Sequence, residues 1–147
     1  MNGRMLAALM LTAAPLLACA GKAEAPKNQE PQTQTIQISY ADLSDQNPIR
    51  RNVTMAVGDF LQVSLGSNAS TGYRWAEQMQ ISDPEVLAQT GHEAIAPRDA
   101  MPGAPGSQVW VLQAMAPGNT MVSNNYSRPW EGGEKGAITF TADVTVN

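Results

Sequence analysis

A chain of 147 residues with 43% hydrophobic and 15% charged side chains is long enough for one globular domain and too apolar to be disordered. Nine Lys and Arg against thirteen Asp and Glu, a net charge of −4, leave no basic cluster for neutralising phosphates, which excludes a nucleic-acid partner. One His and one Cys exclude a disulfide framework and leave too few ligands for a zinc site, so neither a metal nor another cofactor is expected.

Residues 1–18 carry one Arg, then an apolar run too short to span a bilayer, then small residues, which is the pattern of an export signal. Leu16-Leu17-Ala18-Cys19 resembles a bacterial lipobox, in which cleavage before the Cys leaves a thiol for lipid. Ordinary cleavage after Ala18-Cys19-Ala20 also satisfies the small-x-small rule. The lipobox reading makes Cys19 the lipidation site and the sole link to a membrane, and places an exported protein at the cell envelope, in the periplasm or on the outer membrane. Residues 19–34 contain prolines, charges and amides but no large apolar side chain, so they read as a flexible tether to a monomeric domain at 35–147.

From Thr35 the pattern has period two: Ile36, Ile38 and Tyr40 alternate with polar residues, as one half-buried strand face requires. Arg50-Arg51 reads as the polar edge of the next strand. Val57-Gly58-Asp59 separates Val53-Thr54-Met55 from the run Phe60 to Leu65 as a hairpin-like turn. Tyr73, Trp75 and Glu77 alternate within a strand at 73–79. Asp83-Pro84-Glu85 suits one helical turn, after which 86–95 lacks a 3.6 period and reads as extended. The run 107–115 is nearly all apolar, Pro117-Gly118-Asn119 turns the chain into 120–126, and Ile138, Phe140, Ala142, Val144 and Val146 alternate with polar residues to the end. The pattern predicts an all-β protein, an immunoglobulin-like antiparallel β-sandwich of seven or eight strands, with Trp75 and Trp110 in its core.

The candidates for catalysis are poor. His92 stands without partners of metal-ligand spacing. Ala69-Ser70-Thr71-Gly72 half resembles a nucleophile elbow, but Asn68 occupies its first glycine position and strands flank both sides. Glu131 and Glu134 sit in a Gly-rich turn. No catalytic residue is assigned, and the chain is not expected to be an enzyme.

Three connections are unusual for simple turns. Ser67 to Gly72 is a run of small residues around Asn68. Met101 to Gly106 alternates prolines and glycines. Tyr126 to Trp130 presents a guanidinium and an indole beside Pro129, the side chains most enriched at binding hot spots. In a sandwich, alternate connections gather at one end, and these three fall at about every second connection.

These loops resemble the chagasin-like inhibitors of papain-family cysteine proteases. Asn68-Ala69-Ser70-Thr71-Gly72-Tyr73-Arg74-Trp75 is similar to that family's N-P-T-T-G-Y/F-x-W loop, with Ala69 for Pro and Ser70 for Thr. Gly103-Ala104-Pro105-Gly106 is similar to its G-x-G-G loop, with Pro105 for Gly, and Arg128-Pro129-Trp130 matches its R-P-W/F loop. The resemblance, from Ile36 to Asn147, implies an inhibitor that blocks the active-site cleft of a papain-family cysteine protease reversibly and tightly with three loops. It implies that Asn68 to Gly72 lie over the catalytic Cys and His, while the other two loops grip the cleft walls, Trp130 against an apolar one. Ala69 forgoes the φ restriction of Pro, and Pro105 removes a backbone donor. A non-inhibitory immunoglobulin-like binding or structural domain of the envelope is the alternative.

Overall fold

A computed structural model describes residues 29–98 and 101–147. The predicted signal at 1–18, Cys19 and most of the tether lie outside the described residues. Among the described residues there are nine strands: β1 (Thr33–Ile38), β2 (Ile49–Met55), β3 (Phe60–Ser67), β4 (Arg74–Trp75), β5 (Gln80–Ile81), β6 (Leu87–Ile95), β7 (Gly106–Ala114), β8 (Gly118–Ser127) and β9 (Ile138–Val146). One sheet runs β1-β3-β7-β6, the other β2-β9-β8-β4 with β5 also on β8. β1 begins two residues inside the predicted tether because Gln32 is already tied down. Its N–H donates to Asp59 Oδ1 at 3.0 Å and its carbonyl accepts from Phe60 N–H at 2.8 Å.

The sheets are mixed, which corrects the wholly antiparallel expectation. β1 pairs in parallel with β3, from Thr33 opposite Phe60 to Ile38 opposite Leu65, and β2 pairs in parallel with β9. The cause lies in the turn at Val57-Gly58-Asp59, which is no hairpin: it carries the chain from one sheet to the other. Gly58 takes φ 94°, a conformation glycine adopts without a Cβ clash, and Asp59 closes the turn by accepting from Ala56 N–H at 3.0 Å. Pro117-Gly118-Asn119 likewise passes the chain between layers, from β7 to β8.

The buried faces are those set by period two. Phe140, Ala142, Val144 and Val146 of β9 face inward against Leu61, Val63 and Leu65 of β3 and Trp110, Leu112 and Ala114 of β7. Trp75 and Trp110 are 1% and 0% exposed, as expected of core residues. Each indole N–H finds an acceptor, as a buried donor must: Trp75 donates to Gly66 O at 2.9 Å, and Trp110 is shared between Ala76 O and Glu77 O.

The strand expected at 73–79 stops after Trp75, because side-chain amides take the place of a neighbouring strand. Gln108 reaches from β7 across the sandwich, accepting from Trp75 N–H at 3.0 Å and donating to Trp75 O at 3.4 Å. Asn124 of β8 holds Ala76 by both its N–H and its carbonyl, and Gln89 of β6 holds Glu77 O and Met79 N–H. The segment 86–95 is extended as read, although Val86 belongs to the turn after Asp83 and β6 starts at Leu87.

Strands β3, β6 and β8 end, and β4, β7 and β9 begin, at one end of the sandwich, whereas β1 begins and β9 finishes at the other. Truncating Trp110→Ala removes a fully buried indole and is expected to cost about 3–5 kcal/mol of stability, read from the urea unfolding midpoint.

Candidate functional site

Loop 1, residues 67–73 between β3 and β4, is shaped by Asn68. Its side chain is turned inward and the residue is only 9% exposed. Oδ1 accepts from Ser70 N–H at 3.1 Å and from Ser70 Oγ–H at 2.6 Å, capping the single 3-10 turn Ala69–Thr71. Thr71 Oγ1 donates to Asn68 O at 2.7 Å and accepts from Tyr73 N–H at 3.2 Å, so both hydroxyls close the loop on itself. Gly72 ends the turn at φ 83°, donating to Ala69 O. Ala69 therefore needs no proline ring to be held, since bonds on either side of it fix the turn. Ala69 and Ser70 form the exposed tip, with Thr71 and Gly72 half-buried behind them.

Loop 2, between β6 and β7, meets loop 1 through Asn68 Nδ2, which donates to Gly103 O at 2.9 Å. Gly103 takes φ 81°, and Ala104 N–H closes a turn on Met101 O at 3.1 Å. At Gly106 a Cβ would lie 2.3 Å from Ile95 O, so the close approach this glycine permits is to its own hairpin partner. Gly103 and Pro105 are exposed, and Ala104 is half-buried.

Loop 3, residues 128–137 between β8 and β9, lies on the other flank of loop 1. The Arg128 guanidinium sits 4.5 Å from the Tyr73 ring centre and 5.9 Å from that of Trp130. It also donates to Thr71 O, with N–O distances of 3.3 and 3.4 Å. Trp130 is 50% exposed, and its ring lies over Gly72, where a Cβ would come within 2.5 Å of Cη2. Pro129 is exposed beside it. Asn68 to Gly72, Gly103 to Gly106 and Arg128 to Trp130 thus share one end of the sandwich, with loop 1 in the middle.

Several contributors have roles that the sequence did not show. Tyr126, at the end of β8, packs its ring 5.0 Å from Trp75 and 5.5 Å from Tyr73, and its hydroxyl accepts from Asn68 N–H at 2.9 Å. Gln108 shows itself only by occupying an inward position of β7, in phase with Trp110. Glu134 accepts from the Tyr73 hydroxyl, which, chiefly through that bond, holds the phenol above its ordinary pKa. Lys135 reaches three carbonyls of loop 3.

The catalytic candidates are occupied elsewhere. Ser70 Oγ serves Asn68, and Glu134 serves Tyr73. His92 Nε2 lies 3.0 Å from Gln108 Nε2, and its ring 5.4 Å from that of Trp110. Among the described residues no group of three or more His, Cys, Asp or Glu is placed to hold a metal.

Comparison with known proteins places this geometry. The family profile described as chagasin family peptidase inhibitor matches residues 54–145. Chagasin of Trypanosoma cruzi is 28% identical over 97 residues, covering 65% of this chain and 88% of the relative. Amoebiasin-2 of Entamoeba histolytica is 29% identical over 92 residues, covering 63% and 74%. The cysteine protease inhibitor EhICP2 of Entamoeba histolytica shares the fold, with a TM-score of 0.63 at 20% identity over 82% of this chain and 100% of its own. PbICP-C, solved in complex with falcipain-2, does so with a TM-score of 0.53 at 21% identity over 79% and 99%.

Tyr126→Phe leaves the Asn68 N–H without its acceptor in a buried place, which is expected to cost about 1–3 kcal/mol in urea unfolding. Burial also raises the Tyr126 phenol above its usual 10.0, so its share of stability is constant at neutral pH and falls as pH rises above 10. In the Phe variant the alkaline decline in unfolding free energy should be shallower.

Proposed function

The chain belongs to the chagasin family of peptidase inhibitors, and from that premise we propose that it is a reversible, tight-binding inhibitor of papain-like cysteine proteases that blocks the active-site cleft with three loops. The observation that carries the reading is the convergence of loops 1, 2 and 3 on one end, with a tip of small side chains between two broader flanks. Ala69 and Ser70 allow the backbone to descend into a cleft, and Gly72 lets Trp130 lie close beside the tip. Gly103 to Pro105 and Pro129-Trp130 meet the walls on either side.

The block is steric and needs no chemistry from this chain. A protease cuts a peptide laid out in extended form, whereas residues 69–71 are wound into a 3-10 turn in which Ser70 N–H, Thr71 N–H and Ala69 O are bonded within the loop. Opening that turn for cleavage would break the Asn68 and Thr71 bonds together. A loop already ordered before binding also avoids the entropy of ordering it in the complex, which is how an interface of roughly 1,600 Å² becomes tight. Trp130 is the anchor on this reading, because a half-exposed indole held in place gains most from being covered.

The domain acts as a monomer, exported and held by a lipid on Cys19. Within the described residues β1 starts at the end of the sandwich opposite the three loops, which supports this reading.

Titrating the purified protein against papain tests the reading, with stoichiometric loss of cleavage expected and recovery on dilution. Full activity at micromolar protein would overturn it in favour of a non-inhibitory envelope domain. Trp130→Ala should weaken inhibition about tenfold or more while leaving the thermal midpoint nearly unchanged.

A further inference from the structure

We infer that Lys135 is a positioning residue of the binding face, its ammonium acting as an internal cation that gathers the backbone of loop 3 and sets the pose of Trp130. The inference rests on the proposed inhibitory role of that face. Lys135 Nζ lies 2.9 Å from Arg128 O, 2.8 Å from Trp130 O and 2.9 Å from Gly133 O. An ammonium has three N–H donors, and here each finds a carbonyl of the same loop. Bonds from a charged donor are stronger than neutral ones, and three carbonyl dipoles converging on one point repel each other unless a cation lies between them.

The stem of the loop closes where Arg128 N–H donates to Glu134 O at 2.8 Å, and its turn where Gly133 N–H donates to Trp130 O at 3.0 Å. There is no slack inside. A Cβ on Gly133 would lie 2.7 Å from both Arg128 Cβ and Arg128 O, and 3.0 Å from Trp130 Nε1. The indole is thus set between Gly133 on its own loop and Gly72 on loop 1, and any opening of the 128–133 backbone moves it off loop 1. Arg128, whose carbonyl Lys135 holds, also joins loop 3 to loop 1 by donating to Thr71 O. The Lys135 side chain itself is exposed, so its effect falls on the shape of the loop rather than on the stability of the sandwich.

The test compares the full protein with Lys135→Met, which keeps the length and loses the donors, and Lys135→Arg, which keeps the charge. A planar guanidinium does not aim three donors at one converging set of carbonyls, so both variants should behave alike. Each is expected to raise the inhibition constant for papain about three- to tenfold, the weight of one net hydrogen bond. Hydrogen exchange at the Gly133 amide should quicken, and acrylamide should quench fluorescence more. Quenching reports Trp130 because Trp75 and Trp110 are buried. The urea midpoint should not move, which separates a loosened loop from a misfolded protein. Wild-type inhibition and exchange in Lys135→Met would overturn the inference, as would full restoration by Lys135→Arg, which would make Lys135 a surface charge only. If the wild type itself fails to inhibit papain, the inhibitory reading fails, while exchange and quenching still judge the role of Lys135 in the loop.

Discussion

The indole of Trp75 ties the two stems of loop 1 together at its base. Its N–H donates to the carbonyl of Gly66, the last but one residue of β3, while its own backbone ends the short β4 on the other side of the loop and in the other sheet. The bond is buried, so no water competes for it, and breaking it would strand a donor in the core. Gln108 fixes Trp75 from the opposite sheet, and Tyr126 stacks on it from β8 while accepting the Asn68 N–H above. The hydrophobic core therefore extends as a column of aromatic rings, Trp75, Tyr126 and Tyr73, up to the three loops at this end.

Polar groups at that end are turned mainly upon the protein itself. Asn68 serves loops 1 and 2, Arg128 joins loop 3 to loop 1, and Lys135 closes loop 3. What remains outward at the tip is neutral and small, flanked by the exposed Trp130 of loop 3 and Met101 of loop 2. The rigidity of this face comes from hydrogen bonds rather than from a proline in loop 1. On the proposed reading, binding costs little in ordering a loop already fixed.

Strand existence was readable because a half-buried strand needs an apolar residue at every second position, as β1 and β9 have, and because the nearly continuous apolar run of β7 is bounded by turn residues. The placement of Trp75 and Trp110 in the core follows from the same phase. The three loops were visible as runs of small residues, glycines and prolines with an Arg and a Trp, since such residues are retained where backbones approach closely or side chains are presented. Parallel pairing was not visible. The turn at Gly58 has the same local chemistry whether it folds a hairpin or crosses between layers, and only the sheets themselves distinguish the two. Nor was the end of β4, because the groups that replace its neighbour, Gln89, Gln108 and Asn124, come from three distant strands.

The sequence by itself determined the all-β class, the buried faces of β1 and β9 and the composition of the three loops, because period-two patterning and backbone-permissive residues act locally. Tertiary structure alone decided the mixed sheets, the inward turn of Asn68, and the roles of Tyr126 and Lys135. Each of those rests on a hydrogen bond or ring contact whose partner is chosen by packing: Tyr126 is 58 positions from the Asn68 amide it receives. Lys135 is near its carbonyls in sequence but reaches them only because loop 3 folds back around it.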